Sequence, residues 1–233
     1  MSARLRRPLD PQGPRRSVRA ILLAVSVAVC LATLGAAPVG AASGYMRDVY
    51  FVGAFERQVD GRTCTAASVA MMMNMLARRD LGLAQLTILR YEQPRDALND
   101  RVQRGSDPLG LSRAATYFSR LTPRPTTYRW EAYATKAQAL KRAATQIAIT
   151  GKPVALTVWH GRHAVVMTGV TGWGHPAKES FKLVNIAISD PLGYTHRWYA
   201  ASSYPFDRYL ETDATPWYDA AWYGKYVLIV PQE

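Results

Sequence analysis

The sequence predicts an α+β domain, and three observations predict it. From residue 43 to Gly151 the pattern is mainly helical, with the Ala-, Met- and Leu-rich run AASVAMMMNML at 66–76 and apolar residues three and four apart over 136–149. After Gly151 it changes to short β-rich runs: PVALTVW at 153–159, HAVVMTGV at 163–170, FKLVNIAIS at 181–189 and KYVLIV at 225–230. The first two are separated only by His160-Gly161-Arg162, which predicts a hairpin and hence antiparallel pairing.

The elements follow in order. Arg4, Arg6, Arg7, Arg15, Arg16 and Arg19 precede a stretch without charge from Ala20 to Met46, whose apolar heart is Ile21 to Leu34 and whose end carries the small residues Gly40, Ala41, Ala42 and Ser43. That is the layout of a signal peptide over residues 1–42, cut near Ala42, which directs the remainder out of the cytoplasm as a secreted or cell-envelope protein. An uncleaved anchor is the alternative, because the run is long enough to span a bilayer, and it would be the chain's only membrane contact. Residues 43–233 are then enough for one domain.

Within that domain Asp48 to Phe55 reads as a short strand, and Asp60-Gly61 as a turn. A helix begins at Thr63 or Cys64 and carries Met71, Met72, Met73 and Met75, which read as core packing. Residues 83–93 predict a second helix ended by Pro94. A loop with Gly105, Asp107, Pro108 and Gly110 precedes a short helix near Leu111 to Phe118, and Pro123 and Pro125 make 121–127 extended. Lys136 to Ile149 is helical with Gly151 as its C-terminal cap. The strand ending at Ser189 is broken by Asp190-Pro191-Leu192-Gly193.

Composition narrows the function. The chain carries net charge +12, which falls to +7 once the six Arg and one Asp of residues 1–42 are set aside. The excess is scattered, with no basic run longer than Arg78-Arg79, so no nucleic-acid footprint is visible. Only Cys30 and Cys64 exist, and Cys30 belongs to the signal. The domain therefore has one unpaired thiol, either a small buried hydrophobe or a reactive group. His160, His163, His175 and His196 show no metal-site spacing with it.

Position favours the reactive reading. A helix start offers unpaired N–H groups and the positive end of the helix dipole, and Cys64 stands there. Thiol chemistry also needs a base, a group that orients the base, and donors for the oxyanion. His163 opens the second hairpin strand and Asp190 ends the next one, so both can meet over the start of a packed helix. Gln58, six residues before Cys64 across a turn, can place its amide beside the Cys64 N–H. His160, at the turn tip, is the rival base. Asn185 is a rival orienting group, placed by period two on the opposite side of its strand from Asp190. His175 and His196 read as surface residues, and core packing accounts for most of the six Trp, with Trp173 a candidate border of a substrate groove. Ser112 lacks the surroundings of a serine nucleophile.

Gln58 six before Cys64, the strand His163-Ala164-Val165 with Gly169 six after the His, and the Asp-Pro strand end together resemble the papain-like cysteine peptidases. The phrases CTAAS (64–68), GKPVALTV (151–158), GRHAVVMTG (161–169) and ISDP (188–191) are similar, in the same order, to the group that processes bacteriocin leaders at a double glycine. The resemblance covers most of 49–230. It implies a papain-like fold, with a helical half packed on an antiparallel sheet, and a Cys64-His163-Asp190 triad with Gln58 in the oxyanion hole. It implies a peptide or protein substrate and no metal or organic cofactor. Thr65 stands where those families have Gly, and Gly172 to Ser180 reads as an inserted loop. The expected function is a secreted cysteine peptidase or amidase. Two alternatives use the same fold: a peptide-binding module without turnover, and an acyltransferase with the same triad.

Overall fold

In the computed structural model, residues 43–98, 105–212 and 214–232 are described. The signal or anchor expected at 1–42 lies outside them. Seven strands form one antiparallel sheet: β1 (Gly44–Asp48), β2 (Tyr128–Tyr133), β3 (Val154–Val158), β4 (His163–Trp173), β5 (Lys182–Asp190), β6 (Tyr194–Ala200) and β7 (Tyr226–Pro231). They are ordered β2-β7-β3-β4-β5-β6, with β1 paired to β4 beyond the end of β3. Among the described residues the α-helices are α1 (Cys64–Ala77), α2 (Gln85–Glu92), α3 (Pro108–Phe118), α4 (Lys136–Thr150) and α5 (Pro216–Trp222). The α+β class is as the sequence predicts.

Strands β3 and β7 and most of β4 are buried residue after residue, which requires cover on both sheet faces. Helix α1 is buried along thirteen of its fourteen residues, including all four methionines. It packs against β4, α2 and α3, while α4 packs against β7 and β4. At the far end of α1 the Arg124 guanidinium donates to the carbonyls of Leu76 and Met75 at 3.3 and 3.2 Å, placing positive charge at the negative end of the dipole. Asn74 ties the same end to the following loop through the Leu81 N–H. The helix is thus fixed at its C-terminus, and its N-terminus is left for the cleft.

Several element boundaries differ from the sequence reading. The first strand is 44–48, not 48–55, because Asp48 Oδ1 takes the Tyr50 N–H and the chain turns at Gly53 with φ 98°. Helix α3 starts at Pro108, three residues early, since Asp107 caps it by accepting from Leu109 and Gly110 N–H, and Pro needs no hydrogen-bond donor at N1. Pro94 sits inside a 3₁₀ turn, Gln93–Arg95, that continues α2. Strands β2 and β6 and helix α5 were not expected. β2 and β6 end the main strand order as edges, where solvent on one side weakens the apolar pattern. β4 runs on to Trp173, so the loop after it is shorter than Gly172–Ser180.

Candidate active site

Cys64 is the first residue of α1 and is buried. The turn before it explains why this helix start is open. Thr63 occupies the cap position, yet its hydroxyl faces backwards, donating to the Asp60 carbonyl at 3.1 Å and accepting the Asp60 N–H at 3.2 Å. It makes no cap bond to the helix, so the first-turn N–H groups remain available to an anionic oxygen.

His163 opens β4 opposite Val158 of β3, and its ring is almost fully buried. Its Nε2 lies 2.8 Å from Asp190 Oδ1, which leaves Nδ1 for sulfur. Asp190 closes β5, and the same Oδ1 also accepts the Leu192 N–H at 2.9 Å, fixing the carboxylate within its own turn. Burial acts to lower the His163 pKa, but the hydrogen bonds to Asp190 and Cys64, and the charges of both, outweigh it and raise the value to about 9. For Asp190, burial acts upward and is outweighed by its bonds to His163 and Leu192, so its pKa falls below the usual carboxylate value. Thiol, imidazole and carboxylate therefore form one connected set.

Trp159, unsuspected as a site residue, stacks on the His163 ring at 4.6 Å and 27°. The hairpin turn that delivers it is strained: Trp159 and His160 both take positive φ (54° and 59°), a conformation unfavourable for residues with a side chain. Gly161 follows at φ 100°, where a Cβ would meet the Tyr209 ring at 2.6 Å. Gly161 in the short turn was the available signal. The expectation of mostly core tryptophans is corrected. Trp222 is buried, whereas Trp159, Trp173, Trp198 and Trp217 are exposed. Trp173 ends β4, ten residues past His163, and does not line the cleft.

Gln58 donates its backbone N–H to the Pro191 carbonyl at 2.9 Å, joining the loop before α1 to the Asp190 turn. Its side-chain amide donates to the Asp60 carbonyl at 2.7 Å, inside the turn that leads to Cys64, and its Oε1 is buried without a hydrogen-bond partner. One amide hydrogen is thereby used to hold the turn.

The rival residues lie elsewhere. His160 faces Asp207 and the Arg208 carbonyl. Asn185 pairs with Thr171, eight positions along β4 from His163. Ser112 donates to the Leu109 carbonyl within α3. His175 is exposed, as expected, but His196 is half-buried, 2.9 Å from Asp48 Oδ2 and stacked on Tyr50 at 4.4 Å.

A cleft of about 400 Å³ opens on Cys64 and His163 and is walled by Arg62, Asp107, Tyr209 and Glu211 among others. Gly105 brings one wall close, since a Cβ there would stand 2.6 Å from the Arg62 carbonyl. The opposite wall is tied to the hairpin: Arg162 Nε donates to Glu211 Oε1 at 2.6 Å, and Leu210 N–H to the His160 carbonyl at 2.9 Å. Thr65 lines the cleft with its hydroxyl turned inward, donating at 2.7 Å to Glu92 Oε2. Glu92 is fully buried, and its pKa rises to about 8 through burial, opposed by the Thr65 bond and reinforced by the charges of Asp96 and Asp107. Sequence reasoning missed it, for a lone Glu in a helix reads as surface. Among the described residues no cluster of His, Cys, Asp and Glu is arranged to hold a metal.

Neither any known family model nor any curated protein sequence matches the chain.

Proposed function

We propose that this chain is a papain-like cysteine peptidase or amidase acting outside the cytoplasm, with Cys64 as nucleophile. The observation that carries the reading is the linked set Cys64, His163 and Asp190 at an uncapped helix start beside a cleft. In the proposed reaction the Cys64 sulfur attacks the substrate carbonyl, and the oxyanion that forms is held by the Cys64 N–H and the second amide hydrogen of Gln58. His163, charged and steadied by Asp190, gives its proton to the leaving amine as the acyl–sulfur bond remains. It then takes a proton from water, which attacks the acyl group and frees the sulfur. Trp159 covers one face of the imidazole and keeps bulk water from that side of its bond to Asp190. Thr65 is compatible with this chemistry because its hydroxyl is bound to Glu92 instead of pointing toward the reacting atoms.

The test is alkylation of the full chain by iodoacetamide at pH 7, followed at Cys64 by peptide mass. Wild type is expected to react at least tenfold faster than His163→Ala and faster than a free model thiol. Equal rates in all three would overturn the reading. A peptide amide library then separates turnover from binding alone.

A further inference from the structure

A second concavity, of about 380 Å³, shares no lining residue with the cleft. It is walled by Arg95, Arg113 and Arg120 together with Tyr91, Tyr117 and Tyr128. The three arginines are not contiguous in sequence, which is why no basic run announced them; the packing of α2 against α3, with the 3₁₀ turns that end them, gathers them.

Each guanidinium is placed by neutral partners. Arg95 lies over the Tyr91 ring, 3.8 Å from its centre, and donates to the Tyr91 carbonyl at 3.0 Å. The other face of Tyr91 stacks on Tyr117 at 4.3 Å. Arg113 donates to the Arg95 carbonyl at 2.5 Å, and Arg120 sits 5.9 Å from the centre of the Tyr117 ring. Carbonyls and ring faces orient these cations without neutralising them. Among the described residues no carboxylate lines the groove. Asp107 interacts electrostatically with Arg113 but is buried and bonded to the N–H groups of Ala97, Leu109 and Gly110.

The geometry selects among anions. A guanidinium fork fits carboxylate and phosphate alike, but three cations in one groove call for several negative charges on one ligand, and a chain of phosphates carries them at close spacing. Arg113 lies on α3, Arg120 on the 3₁₀ turn Ser119–Leu121 that follows it and Arg95 on the 3₁₀ turn after α2, so three separate segments of the wall supply the cations, which suits a ligand with several anionic groups. Tyr91 has both faces occupied, which leaves no slot there for a nucleic-acid base. We propose that this groove binds a linear polyanion through successive phosphate groups.

The probe is fluorescein-labelled linear polyphosphate, read by anisotropy on the full-length chain. With three phosphate contacts, affinity is expected to fall about 20- to 40-fold between about 50 and 200 mM salt. The double variant R113Q/R120Q is expected to lose about tenfold or more in affinity and most of that salt slope; both residues are exposed, and circular dichroism checks that the fold is kept. Arg90→Gln, exposed on α2 outside the groove, should change binding less than twofold, and Arg95→Lys should weaken it by keeping charge and losing the fork. Cys64→Ser should bind as wild type, which separates this proposal from the peptidase reading. Unchanged binding in R113Q/R120Q, or an equal loss in Arg90→Gln, would overturn it. So would equal binding of polyglutamate, which removes the phosphate preference, or displacement by orthophosphate at matched phosphorus, which removes the chain.

Discussion

Replacing Glu92 by Gln should stabilise the protein at neutral and alkaline pH and do almost nothing in acid. The carboxyl is fully buried, and its pKa moves from an ordinary 4.5 to about 8 on folding. Because folding raises the value, the native state keeps a proton that the unfolded chain releases between those two pH values. The associated stability is complete below pH 4.5, declines as pH rises, and is gone above about 8. At ~1.4 kcal/mol per pH unit that decline amounts to about 5 kcal/mol, of which about 3 is lost by pH 7. Gln has the same shape, can still accept the Thr65 hydroxyl, and does not ionise. The assay is urea unfolding of both proteins at steps from pH 4.5 to 8.5. His163, also raised, gives stability that is present below pH 6.5 and lost through about 9, but both proteins share it, so the difference between them is the readout. The free-energy gap should widen steadily to several kcal/mol at pH 8. Parallel profiles would show that Glu92 is not a buried acid and refute the argument.

Other outcomes follow from the same contacts. Asp190→Asn should remove the charge that helps hold the His163 proton, shifting the imidazole titration, followed by NMR, down from about 9, and should slow iodoacetamide alkylation of Cys64. Trp159 stacked on a charged imidazole should be quenched, so wild-type fluorescence minus that of Trp159→Phe should rise with pH around 9; a flat difference would mean the rings are not in contact. Gly105→Ala would press a methyl against the Arg62 carbonyl and should cost about 1–3 kcal/mol in urea unfolding, with weaker binding of any cleft ligand. Trp222→Ala, emptying a fully buried site among Trp130, Tyr209 and Tyr218, should cost about 3–5 kcal/mol.

The central elements were legible because burial dictates their composition. The Ala- and Met-rich α1 can only be core, Gly151 takes φ 63° as a helix cap must, and the β3–β4 hairpin follows from two apolar runs with a short turn. Edge strands β2 and β6 carry mixed residues, and nothing local separates them from loops. The same division holds at the site. Cys64, His163 and Asp190 could be proposed together because each stands at the end of a readable element. Trp159, Glu92 and the Arg95–Arg113–Arg120 groove depend on side-chain directions and on contacts between segments, which spacing does not encode. Gln58 stands on the loop before α1, and its bond to Asp60 belongs to the details of a turn.

The wall of the cleft that carries Tyr209 and Glu211 is fastened to the histidine hairpin at four points: His160 to Asp207, the His160 carbonyl to Leu210, Gly161 against Tyr209 and Arg162 to Glu211. On the proposed function, what the cleft admits and how its thiol reacts are therefore mechanically coupled. A substitution at 207–211 made to change what enters the cleft also loads the strained turn that sets Trp159 and His163. Under the proposed function, variants selected for a new substrate should accumulate compensating changes at 159–162, and grafting that wall onto another protein would require transplanting the turn with it.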